Sequence, residues 1–582
     1  MSVTHHDARP EGTFLSEVVY HAQTDQEHSN NPTEQDPLLP SSSSCEGAGR
    51  PSDNRLLWFM GPALLAGIFV KAFDIAFLAT SYSRLASDLQ HFKDASWVML
   101  TASICSAIFV PVYSYLLAYL GIRRMMFIAY GAFALGLGFC AISTSFWQLL
   151  GSRFVVGFGS SGITLLSMIV INEIVGVKQL AIWESFVTCI EMGTSMAAGP
   201  LGAWMYRSIG WHSVFFLEVV FTLTGVGVLQ WSFKTVARHP QYSQSILLKQ
   251  GDPSQLPSRA DVEGWLLLIL AVTTPLIAFT LGDNLLRWTD PLEVALLILG
   301  PIFMVAFVVY EFKIAPYPVI DMTPICSIKY LRVLFQVFGV ISILNSIVFI
   351  IPPYIQVRAF DHPSFEDWAL TCVFLGFPFG AIIGGYLIKN TILPVQHIMF
   401  ANAMVLGACC SLFAMRIIKP ELAQHAPLLV AFGICTGMWQ SCLLFATLSS
   451  TEKKWWPQTL ALYYLIETFG ADLGMALMST ITRSVTKSEI RSSLGNSKTT
   501  EGIILDAMKD LKSIRRLSAS TRTAVLVAFE SGMHTAFFLP CSLAAMVIIL
   551  AAAMNLTSNT WTRILKHATT RQQNEQIERE NG

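Results

Sequence analysis

Charge is what this sequence has least of: Asp, Glu, Lys and Arg together make up 13% of its 582 residues, and the formal net charge is −1. Soluble domains carry about 25% charged residues, so the shortfall points to lipid as the solvent. Without a basic surplus there is no concentrated cationic face for phosphate, which excludes a nucleic-acid partner. The 11 cysteines are scattered through apolar stretches. They form neither a CxxC nor a Cys/His metal spacing, so they read as buried structural thiols and no metal site is expected. No GxxxxGK[ST] phosphate loop occurs, which leaves primary ATP-driven transport unsupported. No nucleophile–base constellation stands out, isolated histidines such as His212 and His397 read as structural, and neither an enzyme nor a cofactor is expected. No signal peptide opens the chain either, because residues 1–54 are polar; the first helix is expected to serve as its own insertion signal.

Apolar length, by contrast, is abundant, with hydrophobic residues at 53%. Crossing a hydrocarbon core of about 30 Å takes roughly 20 apolar residues, and such runs recur along most of the chain. They predict spans at 57–80, 96–117, 125–143, 148–171, 182–205 and 213–232, then at 264–281 and 291–311. Six more follow at 333–355, 368–387, 393–415, 426–447, 458–481 and 534–554. The expectation is an all-α polytopic membrane protein with about fourteen transmembrane helices. Residues 1–54, rich in Ser, Pro, Asn, Gln, Glu and His, cannot build a core and read as a disordered cytosolic tail. The rest divides into a six-helix half at 55–233, an inserted helix pair with linkers at 234–315, a second six-helix half at 316–560 and a tail at 561–582. The second half includes a long polar loop, 483–531. Lys and Arg are richer in the loops on one side, including Arg123, Arg124, Lys178, Lys234, Arg238, Lys389, Lys453 and Lys454, which places both termini in the cytosol.

Several segments carry more than hydropathy. Leu149 to Gly159 reads LLGSRFVVGFG, with Arg153 inside an apolar run. This resembles the LLxxRxxxGxG pattern in the fourth helix of the major facilitator superfamily. The further likeness is to the fungal fourteen-span drug:proton antiporter branch, including vacuolar basic amino acid transporters. The resemblance implies a proton-coupling role for Arg153, while Gly157 and Gly159 provide small surfaces for close helix approach. Gly193, Gly199, Pro200 and Gly202 are similar to the antiporter motif gxxxGPxxGG, with Ala203 at one closing glycine. Trp211 to Phe215 resembles WRWxFxIN, with Glu218 in place of the Asn. Between helices 2 and 3, Ser114 to Arg124 retains Gly121, Arg123 and Arg124 of the signature GxLaDrxGrr. There Ser114 replaces the opening glycine and Ala118 the gating aspartate, which implies altered gating. Asp261–Gly264, Gly282, Trp288, Glu311, Pro316 and Pro318 look like helices 7 and 8 of the fourteen-span branch. Ile351 to Gln356 resembles ylPlylQ at the end of helix 9.

Ionisable residues at membrane depth are functional candidates by default. Asp74 stands where the branch has the Asp of its first-helix motif; Lys71, three residues earlier, leaves a local Lys71–Asp74 pair open. Glu184 and Glu191 are seven apart and share a helix face. Glu184 falls near the cytosolic end, where solvation accounts for it, and Glu191 is mid-span. Glu218, Glu467 and Asp472 also lie inside spans, the last two about 140° apart on one helix. The candidates for proton coupling or substrate contact are thus Asp74, Arg153, Glu191, Glu218, Glu467 and Asp472. In the polar tail Glu34, Leu38 and Leu39 fit an acidic dileucine pattern, [DE]xxxL[LI], which implies a cytosolic sorting adaptor and a vacuolar membrane, with the plasma membrane as the alternative.

Together these readings predict a major facilitator fold: a secondary transporter working between small organic solute, protons and the bilayer. Basic amino acids, drugs and secondary metabolites are the candidate cargoes. A siderophore–iron:proton symporter and a non-transporting nutrient sensor remain as alternatives.

Overall fold

The structure is a computed structural model that describes residues 54–90, 96–175, 177–238, 262–282, 289–315, 318, 327–358, 366–390, 394–415, 426–452, 455–495, 497–509, 514 and 517–556. The architecture is helical, as lipid demands of any open chain, because each helix satisfies its backbone polar groups internally. The first six helices are α1 (Asn54–Asp88), α2 (Ser96–Leu120), α3 (Ile122–Ile142), α4 (Phe146–Val175), α5 (Val177–Ile209) and α6 (Trp211–Arg238). Two follow as a pair, α7 (Val262–Leu281) and α8 (Pro291–Lys313). The remainder are α9 (Ile328–Arg358), α10 (Glu366–Asn390), α11 (Val395–Ala414), α12 (Ala426–Ser449), α13 (Trp456–Leu494), α14 (Lys498–Lys509) and α15 (Ala519–Ala536). Beyond Phe537 the last of these runs on within an apolar span, Ala519–Leu556.

Twelve of these helices are long and apolar enough to cross a membrane, among the described residues. The other two expected spans fall short for different reasons. The apolar core of α7 covers only Glu263–Phe279, and α5 is diluted by Lys178, Glu184, Glu191 and Arg207. A second expectation fails outright. The stretch 483–531, read as a polar loop, is mostly helical: α13 continues to Leu494, α14 fills 498–509 and α15 begins at Ala519. Its polar extension is held by packing, since a Cβ at Gly532 of α15 would collide with Thr486 of α13.

Where a turn must be tight, glycine supplies it. Gly121 alone separates α2 from α3 and Gly210 alone separates α5 from α6, at φ of 77° and 79°, a region that other residues rarely enter. The two halves pack alike. In the first, α1 lies against α5 and α6, and α4 against α2 and α3; in the second, α9 lies against α13, and α12 against α10 and α11. They meet along two seams, α5 with α10 and α2 with α13. The inserted α7 packs on α8 and on the second seam, where Leu268, Ala271, Val272 and Leu276 share a core with Ala107 of α2 and Leu462 and Leu465 of α13. Thr480 of α13 donates to the Phe279 carbonyl of α7 at 2.9 Å.

Candidate transport site

The strongest signal in the sequence was an arginine inside an apolar run, and α4 buries it completely. Arg153 sits where Gly157 and Gly159 let α4 close on α2 and α3: a Cβ at Gly157 would meet the Ala102 carbonyl oxygen, and one at Gly159 the Phe133 backbone. Its guanidinium donates from Nη1 to Asp74 Oδ1 at 2.7 Å and from Nη2 to Oδ2 at 2.9 Å, both side chains being 2% exposed. This fork geometry is the strong form of a charge-assisted bond. Glu218 of α6, 1% exposed, is within electrostatic reach of both. Both Glu218 carboxyl oxygens and Arg153 Nε lack a hydrogen-bond partner among the described residues. Three helices thus bring one guanidinium and two carboxylates together in an apolar surround.

The local Lys71–Asp74 pair left open by the sequence is not formed. Lys71 turns instead to Glu191 of α5, Nζ to Oε1 3.5 Å, with both side chains partly exposed. Lys71 and Asp74 are three residues apart, yet interhelical partners outcompete the local one. The contrast expected between Glu184 and Glu191 is also reversed: Glu184 is the buried carboxylate, 4% exposed. It lies beside Gln440 of α12 and within electrostatic reach of Glu191, Glu467 and Lys71. Gln440 donates to Glu467 Oε1 of α13 at 3.1 Å. One oxygen each of Glu184 and Glu467, with the Tyr463 hydroxyl and Trp439 Nε1, is buried without a hydrogen-bond partner among the described residues. This second group therefore draws on α1 and α5 from one half and on α12 and α13 from the other. Sequence reasoning left Glu184 to solvent and passed over Gln440, although the seven-residue spacing had put Glu184 on one face with Glu191.

The remaining candidates are dispersed. Asp472 faces α2, where Ser103 Oγ lies 2.8 and 2.7 Å from its two oxygens. Arg123 and Arg124 are exposed beyond Gly121, and Arg123 lies over the Phe233 ring at 5.9 Å. Ser114, at the altered start of that motif, is buried. Gly199 and Pro200 fall within α5, and Gly202 gives room to Phe77. Glu34, Leu38 and Leu39 lie outside the described residues. Among the described residues, no His, Cys, Asp and Glu group is arranged to hold a metal ion.

The chain matches known proteins along the same helical body. The family model for the Major Facilitator Superfamily matches residues 64–475. The vacuolar membrane amino acid uptake transporter fnx2 of Schizosaccharomyces pombe is 25% identical over 482 residues, covering 82% of this chain and 80% of the relative. The vacuolar basic amino acid transporter 2 of Saccharomyces cerevisiae is 23% identical over 483 residues, 81% of this chain and 99% of the relative. Among solved structures, the human organic anion transporter MFSD10 (TETRAN) superposes with a TM-score of 0.51 at 12% identity, covering 84% of this chain and 99% of its own, a likeness of fold. With its repeated six-helix halves, an arginine and an aspartate paired inside the first, and a family match over most of the helical body, the chain belongs to the Major Facilitator Superfamily and is an integral multi-pass secondary transporter of small organic solutes.

Proposed function

We propose that the protein exchanges protons for a small cationic solute, a basic amino acid above all, across a vacuolar membrane. The observation that carries this reading is the side-chain group joining the halves, where Lys71 is, among the described residues, the one cation beside Glu184, Glu191 and Glu467. A basic amino acid complements that imbalance: its carboxylate would take Lys71 from Glu191, and its ammonium groups would meet the carboxylates. The buried, unpartnered oxygens of Glu184 and Glu467 are acceptors of the kind that such a solute satisfies. The names of the yeast relatives support the same cargo and compartment.

Proton coupling rests on charge counting. Asp74, Arg153 and Glu218 balance when one proton is held and carry a buried excess negative charge when it is lost. Such a change biases whichever access state admits water or a cation to the group. In this reading α5 and α7 also cross the bilayer. α7, at 20 residues, reaches about 30 Å at 1.5 Å per residue, and the two carboxylates of α5, Glu184 and Glu191, face other helices of the protein. That gives fourteen spans.

Vesicles reconstituted with the full chain and loaded acid inside should accumulate labelled lysine, and collapsing the gradient should abolish the accumulation. Equal uptake with and without the gradient overturns proton coupling. Uptake of an iron–siderophore complex in place of lysine overturns the cargo. A tagged copy should move from the vacuolar to the plasma membrane when Leu38 and Leu39 become Ala; unchanged placement removes the sorting argument.

A further inference from the structure

Asp472 belongs to neither group described above. It lies on α13 in the second half, is 5% exposed, and both of its oxygens meet the same hydroxyl on α2 of the first half. A serine hydroxyl has a single hydrogen. Shared between two acceptors it makes a divided bond, whereas 2.7 and 2.8 Å are each the separation of a full O–H···O bond. A carboxyl group that carries a proton resolves this: its O–H donates to Ser103 Oγ, and the Ser103 O–H donates back to the other oxygen.

Charge points the same way, because among the described residues no cation answers Asp472. Helices α2 and α12 contain no Asp, Glu, Lys or Arg, and α7 contributes only Glu263 in its first turn. On α4, Arg153 is committed to Asp74 and Glu173 is near the far end. Gly474 of α13 is seated on Ser342 of α9, ten residues along from Arg332, which with Lys329 occupies the start of that helix. Glu530 and His534 of α15 flank Gly532, which meets α13 at Thr482 and Thr486, and Arg491 links α13 to α14 still further on. On α13 itself Glu467 turns to Gln440, while Arg483, three turns on, donates to Thr480 at 3.4 Å and Lys487 lies a turn beyond it. An ionised Asp472 would be a buried charge with a hydroxyl as its one partner among the described residues, a costly arrangement.

We propose that Ser103 and Asp472 form a proton-dependent contact between the two halves, closed while Asp472 is neutral and released when it ionises. On release the proton passes to water admitted as α2 and α13 part, and the carboxylate is hydrated in place of its serine bonds. The contact works between halves because α13 is fixed to its own half by the opposite face. Ser342 and Ser346 of α9 donate to the Gly470 and Gly474 carbonyls at 2.8 and 3.0 Å, and both glycines admit α9 closely. The reading rests on the proposed proton coupling only for its place in the transport cycle.

Hydrogen–deuterium exchange on the full-length protein in lipid nanodiscs, from about pH 5 to about pH 8, tests it after correction for the intrinsic pH dependence of exchange. In the wild type, exchange in 97–117 and 458–481 should rise with pH, by up to about tenfold per unit if one proton controls opening. Asp472→Asn, whose amide reproduces both bonds, should hold the low level throughout. Ser103→Ala should show the high level throughout, and Ser103→Thr, which keeps the hydroxyl, should follow the wild type. A flat wild-type profile overturns the proposal, as does an Asp472→Asn profile that still rises; if that variant does not fold, the Ala and Thr variants at Ser103 decide alone. No solute flux is read here, so a failure of gradient-driven lysine uptake strikes the proposed function and leaves this result standing.

Discussion

In the first half of the molecule, α1 and α4 meet through a buried guanidinium and carboxylate; in the second, α10 and α12 meet through bare backbone. A Cβ at Gly376 or Gly380 of α10 would collide with the Val430 or Ile434 carbonyl oxygen of α12, and one at Gly433 or Gly437 with that of Val373 or Phe377. Both devices bring helices together without a hydrophobic driving force, which lipid does not supply. They differ in what disturbs them. A charge pair responds to protons and ions, whereas a glycine seam responds only to shape. The α1–α4 pair is therefore suited to sensing a proton, and the α10–α12 seam to holding those two helices as one rigid unit from which α12 presents Gln440.

The sharpest way to break this comparison is Arg153→Ala, which strands Asp74 and Glu218 without their cation. The expected loss is about 3–5 kcal/mol, read as thermal unfolding of the purified protein and as reduced abundance in the membrane. Gly437→Leu should come next, forcing a side chain against Phe377 at a cost of about 3 kcal/mol. Gly193→Ala, with open space around it, should change nothing in the same assay. Equal sensitivity of the two glycines would remove the claim that the second half is held by shape.

Glu218→Gln separates chemistry from support. Its stability should shift by less than about 1 kcal/mol, while the dependence of lysine uptake on the proton gradient is lost. A retained gradient dependence would move the proton elsewhere. The smallest structural effect is expected at the partly exposed Lys71–Glu191 pair. Lys71→Gln should cost no more than about 1 kcal/mol in stability, yet raise the apparent Kd for lysine about tenfold, equivalent to about 1.4 kcal/mol.

A helix lies on every segment that hydropathy marked, and twelve of them are long and apolar enough to span among the described residues, because a span announces itself locally through about 20 apolar residues. Pairing does not. Asp74 and Arg153 were both singled out, but their bond joins residues 79 positions apart, and the local spacing favoured Lys71. Glu184 was assigned to solvent from its place near a helix end; its burial is set by α10, α12 and α13, which no window on α5 contains. The polar stretch after residue 483 failed for the converse reason. Polar composition marks the edge of the bilayer and does not end a helix that has a neighbour to lean on, here α15 through Gly532 and α14 through the Arg491–Glu501 pair, 2.9 Å long.

The inserted pair has a mechanical consequence. Because α7 grips both α2 and α13, the two seams between the halves are not equivalent edges. Parting α2 from α13 means dragging or peeling a third helix, with lipid filling whatever apolar surface it leaves, whereas on the other seam α5 parts from α10 and α12 of a single half. Elastic resistance is then concentrated on one edge of the molecule, and the release of Asp472 has to work against it.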